Sequence, residues 1–274
     1  MSDEGGPIWN LERGPIGALR LQRAQQAYER RDTLEAVIEA EELLDEEPDN
    51  QAALLIVADG SLELGQPEVA RVAYEQFLEI QSDDALAWAG LAVAFYEMAD
   101  MAACVEAAER SIVINPKGPE AWYYKGLSLE HSGDRAQADL CYLQASRDGQ
   151  SFPLVGELSD SIFAAGLSQA LLSLPPELRE WFEGIELEVA ELPDLTELRR
   201  AMPPMSPSAG ALYIGEPNEA PWENPPEKVR LYRRNIARAA SYGADLVSLI
   251  AHALRQEALD WLVLPDDAFP LADD

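Results

Sequence analysis

A chain of 274 residues, 47% apolar and with a formal charge of −30, can fill two ordinary cores, but its field repels nucleic-acid phosphates and anionic lipid and favours basic partners. No stretch approaches the roughly eighteen uncharged apolar residues of a membrane span, and the acidic start, Met1 to Glu4, lacks the basic and apolar regions of a secretory signal, so a cytoplasmic protein is expected. Cys104 and Cys141 are the only cysteines, too few for a disulfide framework or a four-ligand zinc site, and both are expected as small buried side chains. Charge is segregated along the chain: Asp32 to Glu109 holds twenty acids and one base, Arg71, whereas Lys228 to Arg238 holds five bases and no acid.

Residues 1–16 are read as an N-terminal extension. Residues 17–150 repeat with a period of 34. Pro48, Ser82, Pro116 and Gln150 mark one register; Ala36, Ala70, Cys104 and Ala138 mark a second; Ala24, Ala58, Ala92 and Gly126 a third. Trp88 and Trp122 share a position, as do Tyr74 and Tyr142. Small residues where two helices cross, an aromatic anchor on the first helix and a proline after the second are what a helical hairpin needs. A period of this length predicts about four such hairpins stacked side by side, because one hairpin cannot bury its apolar face alone.

The pattern resembles the tetratricopeptide repeat family. The third repeat carries Trp88, Leu91, Ala92, Phe95 and Pro116 at the family's positions, and the fourth carries Trp122, Gly126, Ala138, Tyr142 and Ala145. The first two repeats are weaker, with Arg20 and Leu54 where Trp88 would stand. The resemblance implies a right-handed superhelix whose first helices line a concave groove. Its inward positions fall on Tyr28, Glu29, Asp59, Leu62, Glu63, Tyr96, Glu97, Tyr123, Glu130 and His131. An aromatic, acidic groove suits a protein partner that presents basic residues among apolar ones. It does not suit a chaperone C-terminal carboxylate, whose tetratricopeptide receptors use Lys, Arg and Asn there. Outward-facing, solvated acids are the competing reading of the same positions.

Residues 151–274 read as a second, α+β domain. Ser159 caps a helix through Phe163, Leu167 and Leu171; Pro175-Pro176 opens another that ends at Gly184. Ile185 to Val189 alternates apolar and acidic as a strand does. A short helix follows Pro193 to Met202, a loop runs from Pro203 to Ser208, and Ala211 to Gly215 is a strand. Beyond the loop Glu216 to Glu227, Val229 to Ile236 is expected as a strand, its bases marking a structural sheet edge or a protein contact. Tyr242 to Leu264 is expected as one long helix.

This series resembles a small bacterial family of minimal zincin-type metallopeptidases, through Leu158-Ser159-Asp160, Leu174 to Leu178, the strand from Ile185, Leu212-Tyr213 with Gly215, and Val229 to Arg233. A zincin's long helix carries His-Glu-x-x-His, two imidazoles one turn apart for zinc and a glutamate as general base. Here the aligned residues are Gln256, Glu257, Ala258, Leu259 and Asp260, and Val263 stands where the family has glycine. The glutamate remains and both histidines are gone, so no catalytic residue and no cofactor are expected. The weak metal candidates are His252, Asp260, Asp266 and Asp267. There is no phosphate loop or nucleophile elbow, and the basic strand lacks an aromatic surface for nucleic acid. The whole therefore reads as a multidomain adaptor, an all-α tetratricopeptide superhelix followed by a catalytically inactive zincin-like unit. The alternative is a divergent metal-dependent peptidase whose repeats recruit substrate. A nucleic-acid mimic that blocks a basic protein has only the charge in its favour.

Overall fold

The computed structural model describes residues 15–148, 152–154, 156, 158–200, 205–215 and 220–271. The N-terminal extension up to residue 14, the fourth register mark Gln150, the end of the short helix at Met202 and the start of the loop at Glu216 lie outside the described residues. The chain divides between Ala145 and Ser146 into two compact units.

The first unit is eight helices: α1 (Pro15–Glu29), α2 (Thr33–Glu46), α3 (Gln51–Glu63), α4 (Pro67–Ile80), α5 (Ala85–Glu97), α6 (Met101–Ile114), α7 (Pro119–His131) and α8 (Arg135–Ala145). They pack as four antiparallel hairpins, α1/α2 to α7/α8, each second helix also packing on the first helix of the next hairpin. This is a tetratricopeptide-type array, and its period can be traced into the backbone. Asp32, Asp100 and Asp134 each accept a main-chain N–H three residues on, capping α2, α6 and α8. The equivalent residue before α4, Gln66, makes no side-chain cap and is followed by Pro67 at the first helical position. Asn50 and Asp84 cap α3 and α5 in the same way, satisfying amides that a helix start leaves without partners. The turn inside each hairpin uses one left-handed residue: Arg31, Gly65, Ala99 and Gly133, with φ of 61°, 69°, 58° and 84°.

Trp88 and Trp122 occupy equivalent settings. Their indole N–H groups donate to Ser82 O at 2.9 Å and to Pro116 O at 3.0 Å, each six residues upstream. Ala24, Ala58, Ala92, Ala36, Ala70, Cys104 and Ala138 are all buried. At Gly126 a Cβ would lie 2.7 Å from the Tyr142 ring and 3.3 Å from Ala138 O, so the fourth hairpin closes only because that side chain is absent.

The second unit holds α9 (Asp160–Ser173), α10 (Pro176–Phe182), β1 (Glu186–Ala190), α11 (Leu195–Arg200), β2 (Ala211–Ile214), β3 (Lys228–Tyr232), α12 (Arg233–Ser241) and α13 (Leu246–Leu262). The sheet order is β1-β3-β2, with β1 parallel and β2 antiparallel to β3. Phe163, Leu178, Val229, Leu231, Ile250, Leu254 and Trp261 are buried in one core between helices and sheet.

Three expectations change here. The strand expected to run to Ile236 stops at Tyr232, because inward alternation ends where Arg233 and Arg234 follow one another. Ile236 then enters the core from helix α12. The long helix expected from Tyr242 to Leu264 forms over Leu246–Leu262 and starts later: Gly243 takes φ 95°, and Asp245 starts α13 by accepting the Ser248 N–H. Finally, β3 is the central strand, not an edge. Its bases serve inside the unit: Lys228 pairs with Glu186 and Glu188 at 3.1 Å each, Arg230 with Glu188 at 3.1 Å and with Glu197, and Arg233 with Glu191 and Asp160. Among the described residues no helix is long and apolar enough to cross a membrane.

Candidate functional site

In the repeat unit the first helices touch one another, α1 with α3, α3 with α5 and α5 with α7, and so form the inner layer. Tyr28 donates its hydroxyl to Glu63 Oε1 at 3.2 Å, and Thr33 donates to Glu63 Oε2 at 2.7 Å. The Tyr74 hydroxyl donates to Asp59. Asp59 has accessible surface, yet its pKa is raised, first by desolvation, with Glu63 adding repulsion against the Tyr74 bond. Both observations fit a carboxylate in a concavity that water reaches from one side. Glu120 on α7 is raised by the same desolvation and by Asp59, so α3 and α7 share one negative field. Desolvation, then Asp59 and Glu63, push the Tyr28 phenol up to about 12. Arg71 pairs with Glu75 at 2.5 Å and Lys125 with Glu109 at 2.7 Å. No ion pair reaches Asp59, Glu63 or Glu120 among the described residues.

Glu97 and Tyr123 are half-buried, and Tyr123 stands edge-on to Tyr124 with ring centroids 5.5 Å apart. His131 is half-buried, tilted on Tyr96 at 6.2 Å, and burial pushes its pKa down to about 4. Two expected contacts are corrected. Tyr96 is 0% exposed, covered by Tyr124 edge-on at 5.4 Å and by His131. Glu130 is 5% exposed and accepts the Tyr142 hydroxyl at 2.8 Å. Neither is surface a partner can reach. Glu120 and Tyr124 on α7, which sequence reasoning passed over, stand beside these residues, Glu120 coupled to Asp59 and Tyr124 packed on Tyr96. The signal for Tyr124 was its adjacency to Tyr123; Glu120 left none, because its coupling to Asp59 spans two hairpins.

In the second unit α13 brings His252, Gln256, Glu257 and Asp260 to one cleft of about 320 Å³, whose other walls come from α12, the start of β2 and Met205. Asn235 on α12 fixes one wall by donating to Pro207 O and Ala209 O at 2.8 Å each. Glu257 is 4% exposed and its Oε2 accepts the Tyr213 N–H of β2 at 2.7 Å. Burial raises its pKa to about 7, against the lowering effect of the Tyr213 bond and with a contribution from Asp260. Gln256 Nε2 donates to Asp260 Oδ1 at 3.1 Å. Asp266 and Asp267 lie outside the cleft lining, in a turn that Arg255 holds through the carbonyls of Asp266, Ala268 and Phe269.

These residues do not fit zinc. A neutral amide and one carboxylate, already bonded to each other, replace two imidazoles. Among the described residues no group of three or more His, Cys, Asp and Glu is placed to hold an ion.

Residues 182–268 match the profile of the zincin-like metallopeptidase family, so the sheet, α12 and α13 form a zincin-like domain whose motif is degenerate. Among solved structures, "Crystal structure of MamA protein" is 20% identical with a TM-score of 0.47, over 58% of this chain and 81% of that one. "MamA 41-end from Desulfovibrio magneticus RS-1" is 17% identical with a TM-score of 0.46, over 49% and 78%. No curated protein matches the chain. The repeat assignment rests on the period and geometry above.

Proposed function

We propose that this protein is an interaction adaptor in which the inner layer of residues 17–150 holds a basic, partly apolar segment of a partner protein, while residues 151–274 are a zincin-like unit without peptidase activity. The observation that carries the reading is the unneutralised field of Asp59, Glu63 and Glu120, set among the half-buried rings of Tyr28, Tyr123 and Tyr124. Acids at the rim accelerate encounter and weaken with salt, whereas aromatic anchors govern release. The test is binding of an array of fixed-length peptides that vary Lys/Arg and aromatic content. Lys-rich, aromatic-containing peptides should bind best, Glu120→Lys should slow their association, and Tyr123→Ala should speed their release. Equal binding of acidic and basic peptides would sink the reading.

The retained Glu257 favours one competing reading, a divergent peptidase. Hydrolysis of a peptide library that is abolished by Glu257→Gln would establish it. The expected outcome is no hydrolysis with or without added zinc.

A further inference from the structure

We propose that the cleft between α12, α13 and the start of β2 is a binding pocket for a lysine side chain presented by a peptide. This does not depend on the repeat groove; it rests on the degenerate motif holding no zinc. The cleft's roughly 320 Å³ is at the lower end of ligand-pocket size, enough for one long side chain. Its walls are largely apolar, with Met205, Ile236, Leu249 and Ala253, and the carboxylates in its lining are Glu257 and Asp260, beside the neutral amides of Asn235 and Gln256, the Ser208 hydroxyl and the His252 ring. Glu257 is the decisive feature. A carboxylate that is only 4% exposed is costly unless a cation or several donors meet it. Here one oxygen takes the Tyr213 N–H and no ion pair reaches the other among the described residues. Arg238, the nearest base along α12, bonds Asn235 Oδ1 at 2.7 Å.

The geometry also chooses between basic side chains. Asp260 likewise spends one oxygen, on Gln256, so the two carboxylates offer single acceptors at separate points. A guanidinium recognises best a carboxylate with both oxygens free, in a bidentate fork. An ammonium, a point charge with three rotatable donors, can bridge two single acceptors. The aliphatic stem of lysine would lie on Leu249, Ile236 and Ala253, as such stems do on apolar surface.

The experiment is calorimetric titration of the full, chelator-treated chain at physiological salt. The probes are blocked tripeptides that differ only in a central lysine, arginine, norleucine or glutamate. The Tyr213 amide resonance is followed in parallel. Lysine should bind one to one and shift that resonance, arginine and norleucine each at least tenfold more weakly, and glutamate not at all. Glu257→Gln, whose amide oxygen can still accept from Tyr213, should weaken lysine at least tenfold. Asp260→Asn, at an exposed position, should weaken it too and carries the test if the Glu257 variant fails to fold. Norleucine binding as well as lysine would overturn the proposal. So would a lysine affinity untouched by Glu257→Gln and Asp260→Asn but lost in Glu63→Gln, which would place recognition in the repeat groove alone. Failure of the groove reading has a different signature, in which Glu63→Gln and Glu120→Gln change nothing while the cleft titration stands.

Discussion

The inner-layer acids of the repeat unit and the sheet acids of the zincin-like unit are met by different chemistry. In the repeat unit, where one base falls among twenty acids between Asp32 and Glu109, crowded carboxylates are met by tyrosine: Tyr74 for Asp59, Tyr28 for Glu63 and Tyr142 for Glu130. A hydroxyl satisfies an oxygen without cancelling its charge, so the field of the inner layer remains. In the zincin-like unit the central strand supplies cations, and Glu186, Glu188 and Glu197 are paired on its surface. On α13, Glu257 and Asp260 are met by an amide N–H and a neutral side-chain amide in place of a cation. On the two proposals above, the first unit attracts at a distance and the second reads a group that has already arrived.

The largest effect that tests this contrast is the pH dependence carried by Glu257. Its folded pKa, about 7, lies above the ordinary 4.5, so the folded state binds more protons between those values. Stability therefore falls as pH rises from about 4.5 to about 7 and is flat outside that window. Glu257→Gln should remove the slope, gaining about 3 kcal/mol on the native protein by pH 8. Unfolding of both proteins across pH checks this. Parallel curves would mean that a cation already neutralises Glu257 and that the contrast between the units is false.

Gly126→Val probes the other side. Its Cβ would meet the Tyr142 ring at 2.7 Å, and moving that ring breaks its bond to buried Glu130. A cost of about 2–3 kcal/mol is expected, read as a lower thermal midpoint of the variant. Ala138→Leu, at the same crossing, should cost about 1–3 kcal/mol. An unaltered melting temperature in both variants would mean that the repeat frame is misplaced.

What was legible followed redundancy. Four copies of one period fixed the helices, the tryptophan anchors and the small-residue crossings, because an error in one copy is corrected by the others. The same frame fixed direction without depth. Tyr96 sits at an inward position of a helix that is apolar on nearly every side, and Tyr124 and His131, a repeat away, pack over it. In the zincin-like unit each instruction occurs once. Gln256 and Asp260, one turn apart, were readable as a lost metal motif. The bond from Tyr213 to Glu257 links residues 44 apart and has no local trace. The break after Tyr232 has no local signal, because Arg230, Arg233 and Arg234 read as one basic strand, whereas tertiary burial of Ile236 favours helix.

A smaller effect lies at the end of α13. Val263 is left-handed, with φ 54°, and 83% exposed, at the position where glycine is expected from the zincin resemblance. A β-branched residue is poorly suited to that conformation. Val263→Gly should therefore stabilise the unit by about 1 kcal/mol, the relief of left-handed strain less the entropy glycine adds to the unfolded chain. A loss of stability would show that the side chain makes contacts which outweigh its backbone strain.

The smallest effect compares the left-handed turns of the four hairpins. Two copies, Gly65 and Gly133, use the residue that adopts this backbone freely; two, Arg31 and Ala99, do not. Arg31 is exposed, so Arg31→Gly exchanges strain relief of about 1–2 kcal/mol for unfolded-state entropy of about 0.4–1 kcal/mol, a net gain near 0.5 kcal/mol. Ala99 is 3% exposed, and removing its buried methyl forfeits about 0.8 kcal/mol, which cancels the gain. Thermal midpoints should therefore rise slightly for Arg31→Gly and stay level for Ala99→Gly, although sequence frame and φ are the same. Equal gains would mean that the turn is set by backbone alone and that the hairpins are interchangeable. Unequal ones would show that each copy has been repacked around its own place in the array, as Tyr74 and Tyr142, one frame position with two different acids, already indicate.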